Sequence, residues 1–322
     1  MSDILLTEEI EDPSIEELGT RYSIRNAPGL WRDPAALKAA VAEARAVLVR
    51  NMTRVDRELV EGAPHLQVVG RIGVGLDNLD LPALSENGIV VCYPPEENAV
   101  SVAEHVMGLM LGLARLIPAA DRSVRAGRWE RSNFIGFELQ GKTLGVLGMG
   151  RIGFRVAMRA RAFGMNVIAY DPYLVAQSPA ITETGARLLP LEALLAEADV
   201  VTCHLPLTPM TRGMMNRERL LGMRATAMLI NTSRGPVVDE EALVQVLESG
   251  HLWGAALDVR TVEPPVVGRL EQLDNVLLTP HIASWTRESL HRVISTVAAD
   301  VDRVLSGGAA RNFANFDRPR KR

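Results

Sequence analysis

The stretch at residues 142–171, KTLGVLGMGRIGFRVAMRARAFGMNVIAYD, contains the pattern that decides the fold. It begins with a short apolar run of strand length, which leads into the hexapeptide GMGRIG at residues 148–153. Apolar residues then recur at the spacing of one helix face, and a second apolar run at residues 166–170 is followed by Asp171. A strand, a GxGxxG turn, a helix and a second strand ending in an acid predict a dinucleotide-binding βαβ unit.

The three glycines of this turn have separate physical roles. Gly148 permits the tight strand-to-helix turn, Gly150 lets a pyrophosphate approach the backbone, and Gly153 lets the helix pack against the strand. Arg151 and Ile152 begin the helix, whose unpaired N–H groups and positive dipole end attract phosphates.

Asp171 indicates which dinucleotide is bound. Its carboxylate is expected to accept hydrogen bonds from the ribose hydroxyls and to repel a 2′-phosphate. Pro172 and Tyr173 follow it, so no arginine stands there to accept such a phosphate. The sequence therefore predicts NAD as the cofactor, in preference to NADP.

Composition and charge are those of an ordinary globular protein. The chain has 322 residues, 47% hydrophobic and 23% charged, and its length suggests two domains. A net charge of −4 gives no reason to expect nucleic-acid binding through a basic surface. The N-terminus carries acids where a signal peptide carries basic residues, and no apolar run reaches membrane-spanning length. We therefore expect a soluble, cytoplasmic protein without a membrane partner or a metal, in which Cys92 and Cys203 are buried free thiols.

Short strands and helices alternate over residues 1–97 and predict a parallel sheet. Strands are expected near residues 3–7, 22–25, 46–50, 67–71 and 89–93, with helices near 34–44 and 54–62. Two loops follow strands at the sheet edge where α/β proteins bind ligands, and they contain Arg50, Val74 and Gly75. The Gly73-Val74-Gly75 backbone is suited to bind a carboxylate, although a plain turn beside a solvated arginine is the alternative.

Residues 98–127 predict one long helix that is apolar on more than one side. A helix of this kind is buried, so this one either spans two domains or forms a subunit contact. Filling the core is the usual role of such a helix, but the length of this one is consistent with a contact between subunits, and hence with a homodimer.

Four further strands follow the glycine-rich unit, near residues 199–204, 227–231, 253–258 and 276–279. With the first two they predict a six-stranded doubly wound sheet, followed by an amphipathic helix at 287–305 and a solvated basic tail at 318–322. These strands end in polar residues, at the edge where cofactor and substrate are expected. The cofactor-binding candidates there are His204, Leu205, Pro206, Thr232, Ser233 and Asp258.

Three polar residues outside the glycine turn are candidates for chemistry: Arg234, Glu263 and His281. A nicotinamide enzyme that acts on a hydroxyl or ketone needs an acid/base near neutral pH, which histidine supplies. A neighbouring carboxylate stabilises the imidazolium, and an arginine can bind a substrate carboxylate with two parallel hydrogen bonds. Spacing alone does not exclude purely structural roles for the three residues, as a loop arginine, a surface glutamate and a core histidine.

A series of segments spread over nearly the whole chain occurs in the order typical of one family: VGRIGVGLDNLDL, NAVSVAEHVMGLML, GRWERSNFIGFELQGKTLGVLGMGRIG, HLPLTPMTRGMMN, INTSRGPVVDEEAL, ALDV with EPP, and TPHIASWT. In these segments the chain resembles the D-isomer-specific 2-hydroxyacid dehydrogenases, and among them the D-3-phosphoglycerate dehydrogenase-like branch. The resemblance implies that Arg234 binds the carboxylate and 2-oxo group of the substrate. It also implies that His281 donates the proton in reduction, that Glu263 is its partner, and that hydride passes between substrate and nicotinamide.

The resemblance further implies two doubly wound parallel-sheet domains. A Rossmann cofactor domain at residues 98–287 is expected to be inserted into a flavodoxin-like substrate domain, made of 1–97 and 288–322, with the active site in the cleft between them. Members of the family are usually dimers, or dimers of dimers, joined through the region around the helix at 98–127.

Three departures from the family pattern leave the substrate open. The chain ends soon after the last family helix, so we expect no regulatory C-terminal domain. Trp285 stands where members of that branch typically have a small residue. Met52 and Thr53 lie in the loop with which the family recognises the far end of the substrate. With Arg50 and Arg131 as candidate cations, 3-phosphoglycerate is expected first; sulfolactate, hydroxypyruvate and glyoxylate are alternatives. A non-catalytic NAD(H)-binding protein, like the corepressors that share this fold, is the alternative from another class.

Overall fold

A computed structural model of the chain describes residues 2–318, so the basic tail predicted at 318–322 lies outside the described residues from position 319 onwards. The chain divides into two compact units. The first contains the residues up to Asn98 and those from Thr286, and the second runs from Ala99 to Trp285.

The first unit is built on a five-stranded parallel sheet with the strand order β2-β1-β3-β4-β5, the order of flavodoxin-like folds. Alternate residues of its strands enter two separate apolar clusters, one on each face, because helices cover both faces. The strands are β1 (Ile4–Leu6), β2 (Ile24–Asn26), β3 (Ala46–Val49), β4 (Val68–Arg71) and β5 (Val90–Cys92). The helices are α1 (Pro13–Gly19), α2 (Pro34–Ala42), α3 (Arg57–Glu61), α4 (Leu81–Glu86) and α12 (Arg287–Leu305).

Aspartates fix where the first helices of this unit begin. Asp12, Asp33, Asp56 and Asp80 precede α1, α2, α3 and α4, and each carboxylate accepts a hydrogen bond from a backbone N–H of the first turn. Such a cap typically stabilises a helix by about 1 kcal/mol. A proline also stands in the first turn of α1, α2 and α4, where its missing N–H costs nothing.

The second unit is built on a seven-stranded parallel sheet with the order β12-β11-β10-β9-β6-β7-β8. The strand order reverses at β6, and open α/β sheets bind ligands outside the carboxyl ends of their strands at such a point. The strands are β6 (Thr143–Leu147), β7 (Asn166–Tyr170), β8 (Arg187–Leu188), β9 (Val200–Cys203), β10 (Met228–Asn231), β11 (Gly254–Leu257) and β12 (Val276–Leu278). The helices are α5 (Ala99–Ala114), α6 (Ile117–Arg125), α7 (Arg151–Ala162), α8 (Pro179–Thr184), α9 (Leu191–Glu197), α10 (Arg217–Gly222) and α11 (Glu240–Glu248).

The single long helix predicted at 98–127 is wrong, because α5 and α6 are separate helices. Leu116, between them, has a positive φ of 54°. Pro118 cannot continue α5, since it has no N–H to donate to the Ala114 carbonyl, which accepts from Phe137 N at 2.9 Å instead. No single helix within residues 2–318 has the length and apolarity to cross a membrane; only α5 and α6 taken together, bent by 63°, meet that requirement by length and composition.

The sheet of the second unit also differs from the prediction, since it has seven strands rather than six. The additional strand, β8, is two residues long and pairs with β7 at the sheet edge. A strand of this length is too short to produce an alternating apolar pattern, so the sequence contained no signal for it.

Both cysteines are buried and free, as predicted, and each unit contains one of them. Cys92 ends β5 and Cys203 ends β9. Burial raises the pKa of both thiols, that of Cys203 to about 12. Neither thiol is therefore ionised at neutral pH.

Candidate active site

The glycine turn joins β6 to α7 at the carboxyl edge of the second sheet. Gly148 has a φ of 91°, and a Cβ atom there would lie 2.7 Å from the His204 carbonyl oxygen. A Cβ atom at Gly153 would lie 2.0 Å from the Gly148 carbonyl oxygen, so only glycine fits at either position. A Cβ atom at Gly150 would meet no atom within 4 Å, which is the space a pyrophosphate needs.

Asp171 is held at this turn by backbone N–H groups. Met149 N donates to its Oδ2 at 3.0 Å, and Tyr173 N donates to its Oδ1 at 3.0 Å. Arg151 and Ile152 form the first turn of α7, and the N-cap Gly150 has no side chain to cover the helix N–H groups. The turn therefore fits a dinucleotide, with phosphate at the helix start and ribose near the acid.

Two buried polar atoms beside this turn support the same fit. Burial lowers the pKa of His204 to about 3, so the ring is neutral at neutral pH. Its Nε2 lies 3.0 Å from Thr202 Oγ1, but neither its Nδ1 nor the Thr232 hydroxyl has a hydrogen-bond partner among the described residues. Buried polar atoms without partners are costly, so both suit a cofactor that supplies the missing hydrogen bonds. Leu205 and Pro206 continue the same loop, and Leu205 packs against Gly148.

The turn after β10 presents Arg234. The Asn231 side-chain oxygen accepts hydrogen bonds from Ser233 N at 3.0 Å and from Ser233 Oγ at 2.7 Å. Its Nδ2 donates to the Arg234 carbonyl oxygen at 2.8 Å, and Arg234 Nη1 donates to the Ser233 carbonyl oxygen at 2.7 Å. Asn231, which the sequence analysis did not select, therefore shapes the turn.

His281 and Glu263 lie together, as their expected pairing requires. His281 Nδ1 is 2.7 Å from Glu263 Oε2, and the other carboxylate oxygen accepts from the Arg260 N–H at 3.0 Å. Burial alone would raise the pKa of the Glu263 carboxyl, but its two hydrogen bonds and the charges of His281 and Arg234 lower it overall. Glu263 is therefore ionised at neutral pH and can stabilise a protonated imidazole.

The backbone at His281 has an unusual conformation, with a φ of 56°. The His281 N–H donates to the Asp258 carbonyl oxygen at 2.8 Å. The buried Asp258 carboxylate accepts from the Thr279 hydroxyl at 2.6 Å, and also from the N–H groups of Ile282 and Ala283 at 2.8 and 2.9 Å. Asp258, expected among the cofactor contacts, thus also fixes the loop that presents His281.

Within the first unit, Arg50 follows β3, and Val74 and Gly75 lie in the loop after β4. The buried Glu8 carboxylate accepts hydrogen bonds from the N–H groups of residues 50, 52 and 53, at 2.8, 3.2 and 2.9 Å. The Arg50 guanidinium donates to the Glu9 carbonyl oxygen at 3.4 Å. Burial lowers the pKa of Arg50, and the charges of Glu8 and Glu9 oppose that shift. Nothing in the sequence pattern had indicated that Glu8 organises this loop.

Arg131 and Trp285, the other substrate candidates, are exposed residues of the second unit. Arg131 begins a short 3-10 turn, Arg131–Asn133, and Trp285 is 54% exposed. The residues that this unit brings together are Arg234, Glu263 and His281, since the charge of Arg234 reaches the Glu263 carboxylate. Within residues 2–318, no group of three His, Cys, Asp or Glu side chains is placed to hold a metal ion.

The chain is similar to a known protein family and to proteins of known sequence. Residues 107–283 match the family model described as D-isomer specific 2-hydroxyacid dehydrogenase, NAD binding domain. D-3-phosphoglycerate dehydrogenase of Methanocaldococcus jannaschii is 42% identical over 320 residues, which cover 98% of this chain and 60% of that protein. The chain thus spans less than two thirds of the length of this relative.

Solved structures with the same fold include two that match over nearly their full length. The TT0316 protein of Thermus thermophilus has a TM-score of 0.91 at 37% identity, covering 97% of this chain and 99% of that one. D-lactate dehydrogenase from Aquifex aeolicus, solved with NAD and lactic acid, has a TM-score of 0.87 at 32% identity, covering 98% and 100%.

Proposed function

This chain belongs to the D-isomer-specific 2-hydroxyacid dehydrogenase family, and from that membership we propose that it is an NAD-dependent oxidoreductase. The proposed reaction transfers hydride between a D-2-hydroxy acid and the corresponding 2-oxo acid. The observation that carries the proposal is the hydrogen bond of 2.7 Å between His281 and Glu263, in the same unit as Arg234 and the glycine turn. An acid/base, its carboxylate partner and a carboxylate-binding arginine are the side chains that this reaction needs.

Each of these three side chains has a proposed task. Arg234 binds the substrate carboxylate and polarises the 2-oxo group. Because Glu263 engages His281 Nδ1, the Nε2 atom is left to give a proton to the substrate oxygen in reduction and to take it back in oxidation. Glu263 stays ionised and stabilises the imidazolium. When bound, the cofactor would supply the hydride as NADH in reduction and would accept it as NAD⁺ in oxidation.

Consumption of NADH with a panel of 2-oxo acids tests the proposed function. Reduction of at least one acid is expected. The alternative from another class, a non-catalytic NAD(H)-binding protein, predicts NADH binding without turnover of any acid. That result would overturn the proposal.

NADH is expected to give a kcat/KM about tenfold or more above that of NADPH, because the Asp171 carboxylate repels a 2′-phosphate. Steady-state kinetics with the two cofactors measure the ratio. Asp171→Asn removes the charge but keeps an acceptor for only one of the Met149 and Tyr173 N–H groups, which bind different carboxylate oxygens. This variant should bring the two kcat/KM values closer together. Equal or better use of NADPH by the wild-type enzyme would contradict the assignment of Asp171.

For the substrate, we propose an anionic three-carbon acid, with 3-phosphoglycerate first and sulfolactate next. The name of the relative from Methanocaldococcus jannaschii supports this substrate. Its proposed contacts are Arg50, Arg131, the Val74-Gly75 turn and Trp285. Glu8 supports a second candidate, because a carboxylate bound in the Arg50 loop opposes a phosphate or sulfonate there. That candidate is hydroxypyruvate or glyoxylate, which has no anionic tail.

Arg50→Ala discriminates between these substrates. If Arg50 binds an anionic tail, KM for the phosphorylated acid is expected to rise about tenfold or more, through the loss of a charge-assisted hydrogen bond, while glyoxylate turnover barely changes. Steady-state kinetics on both acids measure the effect, and Arg54→Ala, at an exposed position of the same loop, is the control. Equal losses on both acids would mean that Arg50 only supports the loop.

We further propose a homodimer that acts in the cytoplasm. Apolar side chains on and after α6 are more than half exposed, as expected of a subunit contact. They are Ile117, Val124, Trp129 and Ile135. Sedimentation velocity that gives a monomer at micromolar concentration would exclude the dimer, and cell fractionation tests the compartment.

A further inference from the structure

Arg260, two residues after Asp258, is enclosed by two carboxylates. Its Nε and Nη2 donate to Glu240 Oε2 at 3.2 and 3.1 Å, and its Nη1 donates to Glu271. The side chains of Arg260, Glu240 and Glu271 are only 13%, 20% and 19% exposed, so their charges are weakly screened. Glu240 is the first residue of α11, where the helix dipole also favours a negative charge. This triad ties the loop after β11 to α11.

The loop that the triad holds is the one that carries Glu263. The Arg260 N–H donates to Glu263 Oε1 at 3.0 Å, while the other carboxylate oxygen binds His281. The Thr261 N–H donates to Glu240, so the same anchor holds the next peptide. Each oxygen of the Glu263 carboxylate therefore has a partner, and one of the two partners depends on where Arg260 is held.

The same peptide also packs against the residue that follows Arg234. A Cβ atom at Gly235 would lie 2.0 Å from the Arg260 carbonyl carbon and 2.4 Å from Thr261 N. The Arg234 loop and the Glu263 loop are thus in direct backbone contact. In such close packing, a shift of residue 260 is transmitted to both loops.

We propose that Arg260 is a positioning residue that, through Glu263, keeps the His281 imidazole oriented for proton transfer and paired with a carboxylate when it is protonated. This inference rests on the proposed function. The guanidinium acts indirectly, because its ion pairs fix the backbone N–H that binds Glu263. A site is held in productive geometry when supporting hydrogen bonds lock the side chains that touch the substrate.

Charged and titratable groups approach His281 from several elements. Glu263 binds its Nδ1, and Arg234 acts on Glu263 through its charge. His105 of α5 reaches the same loop, with its Nε2 at 3.2 Å from Thr279 Oγ1 and 3.7 Å from Asp258 Oδ1. Replacing the Arg260 side chain keeps all of these groups in the chain, so a changed pH dependence reports on the position of Glu263.

The test is the pH dependence of 2-oxo acid reduction in Arg260→Met, compared with wild type and Glu263→Gln. Reduction needs the protonated imidazole, so activity falls as the pH rises. This fall is the alkaline limb of the pH–activity profile. Glu263→Gln moves this alkaline limb to lower pH, and Arg260→Met is expected to move it the same way by about 0.5 pH unit or more. In the double variant the limb should coincide with that of Glu263→Gln, because both changes act on one interaction.

Arg269→Met is the matched control, expected to leave the limb in place. Arg269 also ties this segment to α11, through Glu241 and Glu248, but it donates no hydrogen bond to Glu263. An unmoved limb in Arg260→Met, with a lowered Tm, would show that the triad only stabilises the fold and would overturn the inference. If Arg260→Met does not fold, the double variant Glu240→Gln/Glu271→Gln removes both anchoring charges, and an unmoved limb in that variant overturns the inference equally.

A second readout does not depend on turnover. The His281 imidazole resonance, assigned with His281→Asn, is titrated by NMR in wild type and Arg260→Met, and its midpoint is expected to fall in the variant. If wild type reduces no 2-oxo acid, the proposed function fails, while this titration still decides the role of Arg260. An unchanged midpoint overturns the inference even if the enzyme is active.

Discussion

His281→Asn is expected to lower kcat for 2-oxo acid reduction about 10²–10⁴-fold, the contribution that general acid–base catalysis typically makes. Asparagine cannot donate the proton, but it tolerates a positive φ such as the 56° of this position. The loop that Asp258 holds should therefore keep its conformation, and NADH should bind with nearly unchanged affinity. Steady-state kinetics and a fluorescence titration with NADH measure the two quantities.

His251→Asn is the control for this prediction. His251 lies in the same unit, with its Nε2 at 3.0 Å from the Met223 carbonyl oxygen, and its substitution should leave kcat unchanged. A kcat close to wild type in His281→Asn would mean that another group supplies the proton. His204 is poorly suited to that role, because burial lowers its pKa to about 3 and the neutral ring lacks the acidic proton of an imidazolium.

Gly153→Ala is expected to lower the stability of the fold, whereas Gly150→Ala is expected to lower only the affinity for the cofactor. Gly153→Ala places a methyl group 2.0 Å from the Gly148 carbonyl oxygen, so stability should fall by about 1–3 kcal/mol, the usual cost of overpacking. Gly150→Ala places the methyl group where no protein atom lies within 4 Å, and the φ of −69° suits alanine. Its Tm should match wild type, while the NADH Kd rises about tenfold or more, because the methyl group blocks the pyrophosphate.

Thermal unfolding and NADH titration of both variants check this prediction. Gly222→Ala, at the exposed end of α10 with no atom within 4 Å of the added methyl group, is the control, and it should change neither quantity. Wild-type NADH affinity in Gly150→Ala would mean that the pyrophosphate does not approach this turn.

The elements with local signals could be predicted from the sequence. β7 and α12 have the bounds that their apolar patterns indicated. The residues that produce the apolar pattern of a strand or a helix lie within the element itself, so the sequence of that segment is enough to predict it. The break between α5 and α6 also had a local signal in Pro118, but the apolar pattern that continues across it led to a single helix. The two residues of β8 carried no signal, because that strand exists only through its pairing with β7.

The candidate site was predictable where the residue type itself indicates chemistry. Arg234, Glu263 and His281 follow β10, β11 and β12, which are adjacent strands of one parallel sheet, so their loops meet at one edge. The supporting contacts were not predictable. Arg260 reaches residues 11 and 20 positions away in the chain, and no spacing in the sequence encodes such hydrogen bonds between loops.

The two buried cysteines make the stability of each unit separately measurable. The thiolate is the form that reacts with alkylating reagents, so Cys92 and Cys203 are labelled only when the surrounding sheet opens. When opening and closing are fast, the labelling rate of each residue gives the free energy of opening of its own unit. NADH stabilises the unit that binds it by mass action and should therefore slow the labelling of Cys203. The ratio of the two labelling rates, measured with and without NADH, shows how much of that stabilisation reaches each of the two units.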